Sequence, residues 1–466
     1  MTDDQGLWSL GCYGNNEIKT PNLDKLAESG WLFKNFFCVS PVCSPARASI
    51  LTGKIPSQHG IHDWICGGDT FNKDLEPLGN GQVIEYLKDH ESYSEILAQN
   101  GYVCGISGKW HMGNSHKPQK GFSYWNVHAK GGGNYYGAPM VEGDGIRIED
   151  RYITDVFTDN ALEFLEQEKA NDSPFYLSIH YTAPHSPWSR KNHPEKLWDE
   201  YHENCAFEST PNNLKPASWI DKVAIPIHSE DARREALSGY FSAITAMDQN
   251  VGRVLSWLED NNLRDNTLIC FTSDNGMNMG HHGVYGKGNA TYPMNMYEES
   301  VKVPFIMSHP SRLKAGMVCD SLLSHYDFMP TILEYVGLQT NHCSNIPGSS
   351  FLPILTGQDC DVRNNVVVFD EYGPVRMIRN DKWKYVHRYP DGPHELYNLE
   401  NDPGETTNLV DDHSVEDIRI ELKQELECWF AKYTDPDLDG RSKAVSGSGQ
   451  FNWAGKRANS KSSFCQ

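Results

Sequence analysis

Short apolar runs ending in polar residues recur along the chain, with helically spaced stretches between them. Residues 102–106 read as a buried strand entering Gly108-Lys109-Trp110-His111. Residues 175–180 and 267–272 read the same way, the first leading to Ala183-Pro184-His185-Ser186-Pro187 and the second to Asp274-Asn275-Gly276. A short aromatic, β-prone segment at 33–39 leads into a turn at Cys43. Helices are predicted at 20–27 (Thr20 as cap, Pro21 at the first position), at 93–100 with Gly101 as stop, at 152–167, and as one or two helices over 233–261. Strand and helix alternate, and the polar residues gather at the strands' C-terminal ends. The expected fold class is therefore α/β, a large β-sheet sandwiched by helices with its site along one sheet edge.

After Pro353 the pattern changes. Residues 366–369, 375–379 and 383–387 read as short antiparallel strands, with turns at Tyr372-Gly373-Pro374 and Asn380-Asp381 and a helix over about 414–433. The expected organisation is a large α/β domain over 1–355, a smaller α+β subdomain over 356–434, and a loose tail over 435–466, rich in Ser, Gly, Lys and Asn. Residues 54–84 read as loop-like and residues 190–230 as a long excursion. Residues 114–150 are rich in Gly, Asn, Tyr and Trp without periodicity, the composition of a cleft wall.

Composition narrows the function. A 38% hydrophobic share supports a buried core, and no apolar run is long enough for a transmembrane helix. The net charge of −21 argues against nucleic acid or an anionic membrane surface as partner. An anionic substrate would need a local cationic pocket. The twelve cysteines show no metal-type pairs such as C-x₂-C, and no disulfide pairing follows from their spacing.

The candidate chemistry starts at Cys43-Ser44-Pro45-Ala46-Arg47, which reads as the first turn of a helix ended by Gly53. Cys43 and Arg47, four residues apart, share a face. The thiol then sits where a helix N-terminus favours an anion, beside a guanidinium able to fork onto two oxygens. Asp3 and Asp4 form one carboxylate pair, and Asp274 and Asn275 close an apolar strand. Such hard oxygen donors suit Ca²⁺ or Mg²⁺. Lys109 and His111, two apart past a strand, point to one side if the strand continues. Lys287 lies between Gly286 and Gly288, which let backbone pass close to a ligand.

Met1-Thr2-Asp3-Asp4-Gln5, Cys43-Ser44-Pro45-Ala46-Arg47, Gly108-Lys109-Trp110-His111-Met112-Gly113 and Phe271-Thr272-Ser273-Asp274-Asn275-Gly276, in that order, resemble the type I sulfatases, the formylglycine-dependent branch of the alkaline phosphatase superfamily. The one departure is Ala46, where the family usually has Ser. The resemblance runs from residue 1 to about 410 and implies a mixed sheet between helices with a small C-terminal subdomain. It implies that Cys43 is converted to formylglycine (3-oxoalanine) by a formylglycine-generating enzyme, and that its hydrate is the nucleophile. It also implies that Asp3, Asp4, Cys43, Asp274 and Asn275 bind one divalent cation, usually calcium, with magnesium open. Arg47, Lys109 and Lys287 are then the sulfate-binding cations, His111 the base acting on the hydrate, and His185 the group near the leaving oxygen. The family's apolar strand before the Asp-Asp pair is not seen, so a late start is expected, and a secreted or periplasmic location is compatible with it.

The expected activity is sulfuric ester hydrolysis on a sulfated carbohydrate. Trp64, Trp110, Tyr124, Trp125, Tyr135 and Tyr136 are candidates to stack on sugar rings. The alternatives are a phosphonate monoester or phosphodiester hydrolase of the same superfamily and a non-catalytic glycan-binding protein.

Overall fold

The computed structural model describes residues 1–79, 81–212, 214–338, 345–358, 362–441 and 449–465. Strands β1 (Trp31–Phe33), β2 (Val103–Lys109), β3 (Tyr124–His128), β4 (Ala138–Glu142), β5 (Gly145–Glu149), β6 (Phe175–His180), β7 (Ile269–Thr272), β8 (Phe305–Ser308) and β9 (Met317–Cys319) form two sheets. One sheet runs in the order β5-β4-β3-β2-β6, the other in the order β9-β1-β8-β7. The first is parallel across β3-β2-β6 and antiparallel at β4 and β5.

Residues 1–3 join the edges of the two sheets. The Met1 amino group donates to Ile179 O at 2.8 Å, Thr2 N to Thr272 O at 2.9 Å, and Asp3 N to Ala183 O at 3.1 Å. Met1 to Asp3 thus lie in parallel register between the chain at β6 and the chain at β7.

Helices cover both faces. On one, α4 (Ile153–Glu168) and α5 (Glu230–Asp260) bury Val156, Phe157, Leu237, Tyr240, Phe241 and Ile244. On the other, α2 (Cys43–Thr52), α3 (Tyr93–Gln99) and α6 (Phe328–Tyr335) bury Ile50, Leu51, Ile96, Leu97, Met329 and Leu333. The short α1 (Pro21–Glu28) packs on α5. A further antiparallel sheet, β10 (Val366–Asp370), β11 (Val375–Arg379), β12 (Trp383–Arg388) and β13 (Glu395–Asn398), packs Val367, Phe369 and Ile378 against Leu422, Leu426 and Phe430 of α7 (Glu416–Tyr433).

Two expectations change, and one left open is settled. Of the one or two helices expected over 233–261, the structure has a single 31-residue helix, α5, whose buried run continues through Gly239. The stretch 114–150 contains β3 and the β4–β5 hairpin, whose Gly143 turn (φ 57°) reverses the chain. The tail is not loose where it is described. Residues 449–451 pair on one side with residues 64–66 and on the other with residues 463–465, and Gln450 is fully buried. Its Gly-Ser-Lys-Asn composition hid a segment held by backbone pairing rather than by an apolar face. Residues 442–448 and 466 of the expected tail lie outside the described residues.

Candidate active site

Cys43 is the first residue of α2, following Val42 in extended conformation. The helix is buried throughout and ends at Gly53, whose left-handed φ of 66° returns an N–H to Ser49 O. One turn on, Arg47 donates from Nε to Asp274 Oδ2 at 2.8 Å and from Nη1 to Lys109 O at 3.0 Å. Asp274 follows β7, and its Oδ1 accepts from Asp4 N at 3.2 Å. Asp4 has a φ of 63°, a left-handed turn that Asp tolerates.

Lys109 ends β2 and reaches Asp3 Oδ2 at 2.6 Å. Lys287 reaches Asp4 Oδ1 at 2.5 Å, and Asn275 Nδ2 donates to the same oxygen at 2.9 Å. His185 Nδ1 donates to Ser186 O at 2.7 Å, which leaves Nε2 at 3.7 Å from Asp4 Oδ2. The fold thus brings together Asp3, Asp4, Cys43, Arg47, Lys109, His111, His185, Asp274, Asn275 and Lys287.

Burial raises the carboxyls of Asp3 and Asp4, but Lys109 beside the first, Lys287 beside the second and His185 beside both hold them below the ordinary carboxylate range. Burial pushes the Cys43 thiol up against the pull of Lys109 and Lys287, so the unmodified side chain is a neutral thiol and a weak nucleophile.

The strand geometry does not continue from Lys109 to His111, because His111 has a φ of 55°. The turn aims its ring at the nucleophile position: Nδ1 lies 3.5 Å from Cys43 Sγ, and Nε2 lies 2.8 Å from Ile65 O. A carbonyl only accepts, so Nε2 carries the proton and the Nδ1 lone pair faces Cys43. Burial and the nearby Lys109 hold this imidazole neutral.

Several supporting groups gave no sequence signal. Ile65 anchors the base by its carbonyl, while its N–H donates to Ser44 Oγ at 3.0 Å. Gly131 lies so close to the base that a Cβ there would meet His111 Cε1 at 2.1 Å, and one on Gly132 would lie 3.5 Å from His185 Cε1. Gly131 therefore covers the His111 ring and Gly132 lies against the His185 ring. Gly286 and Gly288 serve packing, since Cβ atoms there would meet Ala290 and Pro41 at 2.3 Å. Of the candidate sugar-stacking aromatics, Trp110 and Tyr135 are core residues, whereas Tyr136 is 37% exposed.

The donor set fits a hard divalent cation. Asp3, Asp4 and His185 offer ligand atoms within 4.8 Å of one another. Asp3 Oδ1 and Asn275 Oδ1 are buried acceptors with no hydrogen-bond donor, an arrangement a cation would satisfy. Three buried cations (Arg47, Lys109, Lys287) balance three carboxylates (Asp3, Asp4, Asp274), so a divalent ion would supply the positive charge that an anionic substrate needs.

A cationic clamp set against an acidic oxygen cluster, on the edge of a helix-covered mixed sheet, defines an alkaline phosphatase-superfamily hydrolase. The sulfatase family model matches residues 1–338, and the model described as N-sulphoglucosamine sulphohydrolase, C-terminal, matches residues 280–432. The chain belongs to the sulfatase family and is a sulfatase of type I. It is 30% identical to an N-acetylglucosamine-6-O-sulfatase of Bacteroides thetaiotaomicron, over 94% of this chain and 87% of the relative. A structure solved with its substrate D-glucosamine-2-N,6-O-disulfate superposes with a TM-score of 0.78 at 27% identity, over 95% and 98% of the two chains. The phosphonate monoester hydrolase of Agrobacterium radiobacter shares the fold at a TM-score of 0.68 and 20% identity, over 93% and 95%.

Proposed function

We propose that this sulfatase removes sulfate from a sulfated carbohydrate, with a sulfated amino sugar as the first class to test. The convergence of Arg47, Lys109 and Lys287 with Asp3, Asp4, Asp274 and Asn275 around Cys43 carries the reading. The carbohydrate part is supported by the relative named for N-acetylglucosamine 6-O-sulfate and by the similar structure holding a sulfated glucosamine.

In this reading Cys43 is converted to formylglycine, whose hydrate supplies one hydroxyl to attack sulfur and a second whose deprotonation releases sulfate. Asp3, Asp4, Asp274, Asn275 and the modified Cys43 would hold calcium or magnesium, which would supply polarisation of a sulfate oxygen. Arg47, Lys109 and Lys287 neutralise charge on the transferring group. His111 takes a proton at Nδ1, its Nε2–H fixed on Ile65 O. His185, with its side chain 28% exposed, is the group near the leaving sugar oxygen.

Among the described residues no helix is long and apolar enough to cross a membrane. We place the enzyme outside the cytoplasm, where sulfated polysaccharide is met.

The test is inorganic sulfate release from a panel of sulfated saccharides by protein co-produced with a formylglycine-generating enzyme, with Cys43 conversion read by peptide mass. Release from one saccharide class identifies the substrate. Turnover of a phosphodiester or phosphonate monoester with no sulfate release would transfer the activity to the related hydrolases.

A further inference from the structure

The C-terminal segment is built into the active-site wall. Gln450 N donates to Trp64 O at 2.8 Å, and Cys66 N donates to Gln450 O at 2.8 Å. The Gln450 side chain accepts from His62 N at 2.8 Å and donates to Gly60 O at 2.9 Å. Gly449 N donates to Asp63 Oδ2 at 2.9 Å. The last described residues close a third strand, with Cys465 N on Gly449 O at 3.1 Å and Phe451 N on Ser463 O at 3.0 Å. Phe464 stacks on Tyr372, whose hydroxyl donates to Cys465 O.

The centre of this ribbon is Ile65. Its neighbours on both sides bond the tail, while its own N–H and carbonyl hold Ser44 of the nucleophile helix and His111. Tail position and base orientation therefore share one strand. On that ribbon Cys66 Sγ and Cys465 Sγ lie 3.1 Å apart, both sulfurs buried and 399 residues apart in sequence.

We propose that Cys66 and Cys465 are joined by a disulfide in the mature protein, and that this bond clamps the C-terminal ribbon onto the strand that positions His111. The consequence for turnover rests on the function proposed above; the bond itself does not. It forms by exchange with a disulfide oxidant. The Cys66 thiolate attacks one oxidant sulfur and displaces the other. The Cys465 thiolate then attacks the Cys66 sulfur of the mixed disulfide. One S–S bond forms in the chain as one breaks in the oxidant, the two thiol protons pass through water to the oxidant's sulfurs, and the oxidant leaves as two thiols carrying the two electrons. Exchange takes place as the tail docks, because both sulfurs are sheltered afterwards. Closing so long a loop gives the crosslink strong leverage over the unfolded chain.

The test is peptide mapping of full-length protein, alkylated without reduction after folding in a glutathione redox pair. The Cys66 and Cys465 peptides are expected as one linked species that separates on reduction. Reduced wild type and the Cys66→Ser/Cys465→Ser double variant are expected to lose about tenfold in kcat for sulfate release with KM unchanged, because base orientation and not substrate contact is loosened. Re-oxidation is expected to restore wild type and not the variant. Alkylation of both sulfurs in the unreduced protein would overturn the bond. A linked protein whose kcat ignores reduction would overturn its role. Linkage is read by mass alone, so a chain inactive on sulfate esters leaves that measurement intact.

Discussion

Arg47 Nε meets Asp274 Oδ2 at 2.8 Å across 227 positions of sequence, and neither side chain reaches solvent. The pair ties the nucleophile helix to the end of β7. Removing one partner would leave the other charge buried and alone, which costs about 3–5 kcal/mol. Arg47→Ala should therefore lower both turnover and the unfolding midpoint. Arg47→Lys keeps the charge but loses the fork between Asp274 and Lys109 O, so it should retain more stability than activity. Thermal unfolding together with kcat/KM separates the two effects.

Cys43→Ala should abolish sulfate release and leave the unfolding midpoint within about 1–2 kcal/mol of wild type, because the side chain is small and its loss leaves no charge unpaired. Sulfate release and thermal unfolding on one preparation check both halves. Activity retained in this variant would remove the nucleophile from the proposed mechanism.

The acidic cluster predicts a metal-dependent enzyme. Chelation should remove turnover and lower the unfolding midpoint, since an ion that binds only the folded chain at about 100 times its Kd adds about 2.7 kcal/mol. Titrating calcium and magnesium separately into the stripped protein, with stability and sulfate release both read, identifies the resident ion. Asp3→Asn should weaken the response to either.

The sequence was most informative where a residue type is tied to its chemistry. Cys43, Asp274 and Asn275 sit at a helix start or just past a strand, where apolar runs make them visible, and Arg47 lies one turn on from Cys43. Asp3 and Asp4 have no apolar run before them and are visible only as a carboxylate pair. His111 was legible as a base candidate but not in its placement, because a left-handed φ at a non-glycine residue leaves no trace in a hydrophobic pattern. Ile65 and Gln450 act mainly through backbone groups that every residue carries, so their part in holding the site emerges only when residues 64–66 and 449–451 are seen paired. The Gly131-Gly132-Gly133 run lies inside residues 114–150, whose composition reads as a cleft wall. That residue 131 must be glycine because the His111 ring lies under it is a fact of three-dimensional packing.

Gly131→Ala turns that packing into a test. Its backbone is not in the left-handed region, so the fold should tolerate the methyl group, but the Cβ would lie 2.1 Å from His111 Cε1 and the ring or the loop must move. A shift of about 1 Å in a catalytic group costs on the order of 100-fold in rate. The expected result is a large fall in kcat at nearly wild-type unfolding temperature. The same substitution at Gly137, where a Cβ would meet nothing within 4 Å but φ is 74°, should instead reduce stability and spare kcat.

His128 and His193 predict how stability depends on pH. Burial lowers each imidazole from 6.5 to about 4. The unfolded chain therefore binds protons at these positions between about pH 6.5 and pH 4 while the folded chain does not, and stability falls as pH falls through that window. Above pH 6.5 both states are neutral and the contribution is fully present. His128 hydrogen-bonds Lys130 O at 2.7 Å, so His128→Gln retains a donor while removing the titration. Wild type should lose about 2 kcal/mol through this one residue between about pH 6.5 and pH 5. Unfolding midpoints measured across that range should fall less steeply in the variant, and equal slopes in the two proteins would mean that His128 is already protonated in the folded state.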